Sequence, residues 1–220
     1  VFLVIGIGGS YLGARAVIEA MNSNFANAVP DEKSKYPKVI FAGNNLNPDY
    51  INDIIDTLPL IYQHVFKETQ KLTKTDAFIR TINYMLQSKQ IDFYANDNNY
   101  SEIQTIALKL NSIGIRAQVF NTINSVYLDH INPQETIAFV VSHSGSNKTM
   151  IDAAYALRKK RIRVVGVTGR LSQDLELICN ENLYIDSYNH HLPHSIMLYG
   201  LSIHYIFDVL YTALYFKKIK

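Results

Sequence analysis

Short runs of consecutive apolar residues alternate along this chain with longer segments in which apolar residues recur every three or four positions. Many residues in the runs are β-branched or aromatic, which is typical of parallel strands that are buried on both faces. The predicted strands are 1–5, 38–43, 91–95, 116–120, 136–141, 162–168 and 182–185. The longer segments predict helices at 11–24, 48–57, 60–72, 78–86, 100–112, 148–160, 171–178 and 193–216. This order of strands and helices indicates an α/β fold.

The last five predicted strands form the main domain. Because helices separate them, they predict a doubly wound five-stranded parallel sheet of the flavodoxin-like type, which we place at residues 89–220. Residues 1–58 form an extra N-terminal βαβα segment, and residues 59–88 form a helical connector. The βαβα segment repeats the opening pattern of the main domain. It either adds strands to the edge of that sheet, or forms an incomplete half domain, or comes from a second protein.

Hydroxyl and amide side chains follow the predicted strand 136–141, at the point where a helix begins. Gly145 lets the backbone approach a ligand closely. Ser146 or Asn147 is placed to cap a helix whose unpaired N–H groups and positive dipole end favour an anion. We predict a phosphate or sugar-phosphate site made by Ser142, His143, Ser144, Gly145, Asn147 and Thr149. Serines that only cap a helix would give the same pattern without a ligand.

Two further turns are candidates for the same kind of ligand. Ligands of doubly wound sheets lie beyond the carboxyl ends of the strands, which brings the turn containing Asn98 and Asn99 to the same edge. Gly8, Gly9 and Ser10 follow the first strand and form a second possible phosphate turn. Their spacing is not the dinucleotide fingerprint, and no acidic residue closes the second strand, which argues against NAD.

The composition excludes several classes of protein. The 220 residues are 48% hydrophobic and include 21 basic and 19 acidic residues, so the net charge of +2 gives no general field for nucleic acid. The single Cys179 excludes an intramolecular disulfide framework and is typical of a reducing cytosol. No apolar run reaches the ~18 residues of a membrane span. We therefore expect a cytoplasmic globular protein without a membrane segment. A chain that begins on a strand, without Met, is expected to be a piece of a longer one.

Histidines and a basic run are weaker candidates for function. His190, His191 and His194 precede the last predicted helix and could act as acid or base near neutral pH, although loop polarity is the plainer interpretation. No carboxylate or thiol stands near them at ligand spacing, so we predict no metal site. The basic run 158–163 follows a predicted helix, where cations complement the dipole, so we interpret it as structural rather than as a nucleic-acid site.

Two segments of the chain carry a family resemblance. The first is made by Val4–Arg15 together with Phe41–Asn44. It covers residues 1–58 and is similar to glucose-6-phosphate isomerase of bacterial type. Only the opening βαβα of that enzyme's first sugar isomerase (SIS) domain is represented. The enzyme's catalytic glutamate, histidine and lysine, and its downstream serine and threonine cluster, have no matching motif in this chain.

The second resemblance is carried by Ile91–Tyr94, Leu110–Gly114, Ser142–Gly145 with Lys148, and Val164–Thr168. It covers residues 60–220 and is to the SIS effector domain of RpiR-type transcriptional regulators, which are cytosolic sensors of phosphosugars. The resemblance implies that the phosphate is held by Ser142, Ser144, Asn147 and Thr149. This chain departs from the family at two places. Ala95, Asp97 and Asn99 stand where the family has glycines and a serine, and Asn147 replaces a threonine.

These resemblances imply three alternative functions. The first is a phosphosugar-binding SIS domain that forms the effector-sensing part of a transcriptional regulator of sugar metabolism, without chemistry of its own. The second is a phosphosugar aldose–ketose isomerase that moves a proton through an enediol, against which the missing catalytic matches weigh. The third is a dimerisation domain whose site has decayed. We expect no cofactor, a homodimer or higher oligomer, and contact with DNA only through a module that this chain lacks.

Overall fold

The computed structural model describes residues 2–5, 16–17, 39–42, 48–186 and 195–218. They belong to two compact units, residues 1–61 and residues 62–220. In the first unit, β1 (Phe2–Ile5) and β2 (Val39–Ala42) pair in parallel as a two-stranded sheet. In the part of the chain that the structure describes, these strands pair only with each other.

The second unit contains a five-stranded parallel sheet. Its strands are β3 (Gln90–Tyr94), β4 (Arg116–Phe120), β5 (Thr136–Ser142), β6 (Arg163–Thr168) and β7 (Glu181–Tyr184). The helices are α1 (Pro48–Leu72), which begins in the first unit, α2 (Thr75–Gln87), α3 (Asp97–Ser112), α4 (Ser125–His130), α5 (Lys148–Lys159) and α6 (Ser195–Lys218). The strand order β4–β3–β5–β6–β7 confirms the doubly wound sheet that the sequence predicts.

β5 lies at the centre of this sheet, and all seven of its residues are buried. Ile137, Phe139 and Val141 pack in the core that α2, α3 and α6 cover, whereas Ala138 and Val140 pack in the core under α4 and α5. Alternate residues of a strand point to opposite faces. The uninterrupted apolar run in β5 is therefore the consequence of a sheet that is covered on both sides.

α6 is a core helix of the second unit. It is long and apolar enough, by length and composition alone, to cross a membrane, with a mean hydropathy of 1.3. However, 44% of its most apolar 18-residue stretch is buried inside the protein, and Ile203, Ile206 and Leu210 have no exposed surface. Its polar residues His204 and Asp208 pair with Glu102 and Lys109 of α3. The burial of these apolar side chains explains why α6 is apolar in this fold, and the two ion pairs explain how its polar residues are accommodated.

Two helix boundaries differ from the predicted ones. α1 is one continuous helix with Pro59 inside it, whereas the pattern predicts a short helix to Thr57 and a second from Leu60. Proline lacks the N–H for one helical hydrogen bond, but in α1 it does not end the helix. α3 begins at Asp97, so the predicted turn 96–99 is the cap and first turn of this helix.

The segment 171–178 forms consecutive turns instead of the predicted helix. The N–H of Leu175 donates to the carbonyl of Gly145, outside the segment, at 3.1 Å. This contact draws the segment towards the end of β5. The local bonds from the N–H groups of Leu177 and Cys179 to the carbonyls of Gln173 and Leu175 form turns but no continuous helix. The sequence pattern also misses α4, a helix of six residues that is too short to show a period. β3 and β7 each lie one residue earlier than predicted.

Candidate functional site

The carboxyl ends of β3 and β5 form the topological switch point of the sheet. β3 continues to β4 on one side, while β5, β6 and β7 lie on its other side. The two connections leave neighbouring strands in opposite directions, which opens a crevice where ligands of such sheets bind. The turn after β5 and the residues after β3 both lie at this edge, with Tyr94 opposite Val140 in register. The topology therefore brings together two of the three segments that the sequence singles out.

The turn after β5 is shaped by its own hydroxyl groups. Ser142, the last residue of β5, is buried, and its Oγ accepts a hydrogen bond of 3.2 Å from the N–H of Gly145. The Oγ of half-buried Ser144 accepts from both the N–H of Ser146, at 3.2 Å, and its hydroxyl, at 2.8 Å. Each accepting serine keeps its own hydroxyl hydrogen for donation to a further acceptor.

Gly145 is the position at which the turn depends on glycine. Its φ is +73°, and a Cβ there would lie 2.8 Å from the carbonyl oxygen of Ser172 and 2.9 Å from Oγ1 of Thr168. Thr168 is the buried last residue of β6 and lies opposite Ser142 in register. The backbone after β5 is therefore pressed against the end of β6, and only glycine fits between them.

The start of α5 completes the anion-favouring part of the site. Asn147 is the N-cap, because its Oδ1 accepts a hydrogen bond of 3.2 Å from the N–H of Met150. The N–H groups of Lys148 and Thr149 lie in the first turn of the helix, where N–H groups have no carbonyl acceptor within the helix. The helix dipole is positive at this end. Thr149 and the side chain of Lys148 are exposed. This end of α5 thus offers N–H groups, a hydroxyl and a cation to a ligand.

His143 joins this turn to α6. The centroid of its imidazole lies 4.2 Å from that of Tyr199, and the two rings are inclined by 48°. The His143 carbonyl accepts a hydrogen bond of 3.0 Å from the N–H of Gly169. Tyr199 is 6% exposed, and burial raises the pKa of its phenol. Among the described residues, the Tyr199 hydroxyl has no hydrogen-bond partner.

The residues after β3 lie at the start of α3. Asn98 is exposed and Asn99 is half-buried, and both lie in the first turn of α3. The N-cap Asn96 makes no side-chain capping bond, and Asp97 has a φ of +53°. Asp97 is exposed, so water weakens the repulsion between its carboxylate and an anion bound at the neighbouring turn.

Glu102 and His204 form a pair that the sequence does not indicate. Nε2 of His204 lies 2.7 Å from Oε2 of Glu102, and the side chains are 27% and 37% exposed. A Cβ at Gly200 would lie 3.0 Å from Oε1 of Glu102, so α6 approaches α3 closely here. Because Gly200 directly follows Tyr199, Glu102 and His143 contact consecutive residues of α6. The two partners are 102 positions apart, and no local pattern relates them.

Six candidate residues lie outside the described part of the chain, and the predictions made for them stay predictions. They are Gly8, Gly9, Ser10, His190, His191 and His194. Among residues that the structure does describe, no group of three His, Cys, Asp or Glu side chains could hold a metal ion. Burial raises the pKa of the Cys179 thiol to about 12, which disfavours the reactive thiolate.

The basic run at the end of α5 is engaged with neighbouring side chains. Arg158, Lys160 and Arg163 donate to the side chains of Asn180, Asp129 and Gln87 at 2.9, 2.6 and 2.9 Å. The guanidinium of Arg163 also lies 4.7 Å from the ring centroid of Tyr84. These contacts support the structural interpretation of the run.

Comparison with known proteins identifies the family. The SIS domain family matches residues 84–218, which is more than half of the chain. The chain belongs to the SIS domain family. The fold is similar to that of the NanR protein of Vibrio vulnificus, solved in complex with ManNAc-6P. The two share 23% identity over 76% of this chain and 63% of that chain, with a TM-score of 0.67.

Two further SIS structures show the same fold. The sugar isomerase domain of the RpiR transcription factor from Sphaerobacter thermophilus is 15% identical over 73% of this chain and 91% of that chain, with a TM-score of 0.60. Phosphoheptose isomerase GmhA from Neisseria gonorrhoeae is 16% identical over 74% of this chain and 99% of that chain, with a TM-score of 0.58. The predicted resemblance to an SIS domain is thereby confirmed for residues 84–218, and the RpiR and NanR structures share its fold.

A stretch of 58 residues matches a different kind of SIS protein. It is 57% identical to glucose-6-phosphate isomerase of Shouchella clausii, and the match covers 26% of this chain but 13% of that enzyme. This finding confirms the first resemblance. The match spans only about an eighth of the length of these curated relatives.

Proposed function

We propose that the second unit binds a sugar phosphate at the turn 142–149 and serves as the effector-sensing domain of a transcriptional regulator of sugar metabolism. The observation that carries this proposal is the placement of that turn, at the topological switch point and at the start of α5. The N–H groups of Lys148 and Thr149 and the hydroxyls of Ser142 and Ser144 would hold the phosphate oxygens. The fold likeness to NanR, solved with ManNAc-6P, and to RpiR supports a sensing role.

A sensor of this kind requires binding but no bond-making step. The ligand needs only a higher affinity for one arrangement of the domain than for another. The proposal includes a homodimer, whose geometry would change with occupancy. Sedimentation equilibrium of the full chain should then give twice the monomer mass of 25.0 kDa, and a monomer at all concentrations would contradict this part.

The binding proposal is tested by thermal unfolding with ManNAc-6P, glucose 6-phosphate and inorganic phosphate, and with the unphosphorylated sugars as controls. A ligand at 100 times its Kd stabilises the folded state by about 2.7 kcal/mol, which raises Tm by roughly 5–10 °C in a chain of this size. We expect that rise with at least one sugar phosphate and none with the unphosphorylated sugars.

Ser144→Ala should weaken binding about tenfold, because it removes one hydrogen bond to a charged phosphate. The matched control is Ser112→Ala. Its exposed hydroxyl bonds to Lys109 O near the far end of α3, and its loss should leave the affinity unchanged. Absence of stabilisation by every sugar phosphate would overturn the proposal and favour a dimerisation domain with a decayed site.

A phosphosugar isomerase is the second candidate, and the Glu102–His204 pair favours it. A carboxylate hydrogen-bonded to an imidazole is a combination that can transfer protons through an enediol. Glu102 also approaches Gly200, which follows Tyr199, the residue that contacts His143 of the turn. Proton NMR of the full chain with each stabilising sugar phosphate would reveal aldose–ketose interconversion. Turnover that is lost in Glu102→Gln would establish the isomerase, whereas stabilisation without turnover supports the sensor.

A further inference from the structure

Tyr199 of α6 contacts, through its ring, the ring of His143 within the turn 142–149. It is nine-tenths buried, and its hydroxyl has no partner among the described residues. We propose that Tyr199 is the coupling residue of this domain, through which occupancy of the turn changes the position of α6. The inference rests on the proposed sugar-phosphate site and names the regulation of that site.

The unpaired Tyr199 hydroxyl favours a second arrangement of α6, in which this hydroxyl forms a hydrogen bond. A buried donor without an acceptor is unfavourable, so a rotation or shift of α6 that pairs the Tyr199 hydroxyl with protein or water would recover this loss. The contact with the His143 ring opposes such a movement. Because His143 lies between two of the predicted ligand-binding serines, a phosphate that repositions this backbone also repositions the imidazole. The balance between the two arrangements of α6 then depends on the ligand.

Residues near Tyr199 connect α6 to other helices of the second unit, so a shift of α6 would change their positions as well. One residue further along, Gly200 lies against Glu102, and His204 pairs with the same carboxylate at 2.7 Å. The hydroxyl of Thr69 in α1 donates a buried hydrogen bond of 3.1 Å to the hydroxyl of Ser202. α6 is thus joined by polar contacts to α3 and to the second-unit part of α1, and these contacts would have to rearrange together.

Hydrogen exchange of the full chain, measured by mass spectrometry with and without saturating sugar phosphate, tests the inference. ManNAc-6P is the probe, replaced by glucose 6-phosphate if that gives the larger rise in Tm. Protection of residues 143–150 reports ligand binding, and exchange in residues 198–214 reports α6. In the wild type we expect protection of the turn together with a several-fold change in the exchange rates of α6.

Two variants of Tyr199 distinguish the effect of its ring from the effect of its hydroxyl. Tyr199→Leu removes the ring contact and should abolish the response of α6 while the turn remains protected by the ligand. Tyr199→Phe keeps the ring and removes the unpaired hydroxyl, so Tm should rise and the response of α6 should shrink. The matched control is Tyr94→Phe, because the buried hydroxyl of Tyr94 also has no partner in the described part of the chain, but Tyr94 packs in the core on the other face of the sheet. It should raise Tm and leave the α6 response at its wild-type size.

Three results would overturn the inference. The first is a wild type in which the ligand protects the turn but leaves α6 exchange unchanged, which leaves the proposed function intact. The second is an α6 response of wild-type size in Tyr199→Phe or Tyr199→Leu. The Phe variant decides the question if the Leu variant does not fold. The third is the absence of protection at the turn with either probe, which removes the proposed site and the inference with it.

Discussion

Gly145 shows how a single residue determines the shape of the turn that we propose as the phosphate site. Its positive φ and the lack of space for a Cβ are separate requirements, and both follow from the close approach of the turn to the end of β6. The sequence predicts that the glycine at 145 lets the backbone approach a ligand closely. The tertiary structure shows that the backbone there is also tightly held between Ser172 and Thr168.

Gly145→Ala should lower the free energy of unfolding by about 3 kcal/mol, because the new Cβ adds a steric overlap to the strain of a positive φ. It should also reduce sugar-phosphate affinity, since the turn must shift. Urea unfolding followed by circular dichroism measures the first effect. Gly114→Ala is the control, because Gly114 has a φ of +74° with nothing within 4 Å of its Cβ position, and strain alone should cost about 1 kcal/mol. Equal losses in the two variants would contradict the steric argument.

Asp92 is a fully buried carboxylate in the centre of β3. The hydroxyl of Tyr127 lies 2.9 Å from its Oδ2, and Nε2 of Gln90 donates to its Oδ1 at 2.7 Å. Burial is the largest influence and raises the pKa of Asp92 above its usual value, although both hydrogen bonds and the charge of Arg116 lower it. The folded state therefore favours the protonated form of this group more than the unfolded chain does.

Asp92→Asn should make stability less sensitive to rising pH. With a raised folded-state pKa, the contribution of Asp92 is fully present below its unfolded pKa of about 3.9 and is lost as pH rises through the folded value. The unfolding free energy of the variant, relative to wild type, should therefore increase with pH above ~4. Urea unfolding at a series of pH values provides the measurement.

Asp129→Asn is the control for that titration. Lys160 hydrogen-bonds the exposed Asp129 carboxylate and holds its pKa below the usual value, so its contribution has the opposite sign. This exposed variant should lose a little stability relative to wild type as pH rises. If the unfolding free energy of Asp92→Asn, relative to wild type, also fell as pH rises, burial would not be the dominant influence on the pKa of Asp92.

At the scale of secondary structure, the helix that follows β5 depends on its N-cap. Asn147 and Asn124 cap α5 and α4 in the same way, each through a side-chain oxygen that accepts from the N–H three residues later. The two caps therefore form a natural pair, one at the proposed site and one away from it. Asn147 replaces the threonine of the family that this segment resembles, and the structure shows that asparagine fulfils the capping role.

Asn147→Ala and Asn124→Ala should each lower the free energy of unfolding by about 1 kcal/mol, the usual effect of losing a cap. Only Asn147→Ala should also weaken sugar-phosphate binding, because it loosens the N–H groups at the start of α5. Urea unfolding and a titration of Tm against ligand concentration measure the two effects. Comparable loss of affinity in both variants would mean that binding responds to global stability and not to this turn.

At the scale of the whole molecule, the two units differ in how their strands are supported. β3, β5 and β6 each pair within a five-stranded sheet whose two faces are covered by helices. β1 and β2 form a sheet of only two strands, which is marginal by itself in water. The first unit matches only a short piece of a much longer enzyme, whereas the second matches the SIS domain family.

Backbone amides of β1 and β2 should therefore exchange hydrogen at least about tenfold faster than those of β3, β5 and β6, because local opening exposes a small sheet at lower free energy. Hydrogen exchange with peptide-resolved mass spectrometry is the measurement. The internal control is β4, an edge strand of the larger sheet, whose rates should lie between the two groups. Equally slow exchange in both sheets would show that the first unit is fully supported.

Much of the second unit could be predicted because its signals are local. Each fully buried strand appears as an apolar run, and Gly114 and Asn147 mark a helix end and a helix start through their own backbone or side-chain chemistry. α4 and the turns at 171–178 could not be predicted for the opposite reason. One is too short to show a period, and the other is held by Leu175 against Gly145, which lies 30 positions earlier in the chain.

The sequence by itself therefore determined the class of the fold, the run that forms β5 and the polar turn that follows it, because apolar runs and capping residues act on their immediate neighbours. Only the tertiary structure decided that β3 and β5 are adjacent at the switch point, that His143 contacts Tyr199, and that Glu102 pairs with His204. These contacts join residues 46 or more positions apart along the chain. Their partners are set by the order of strands and the packing of α6, which no local pattern of residues contains.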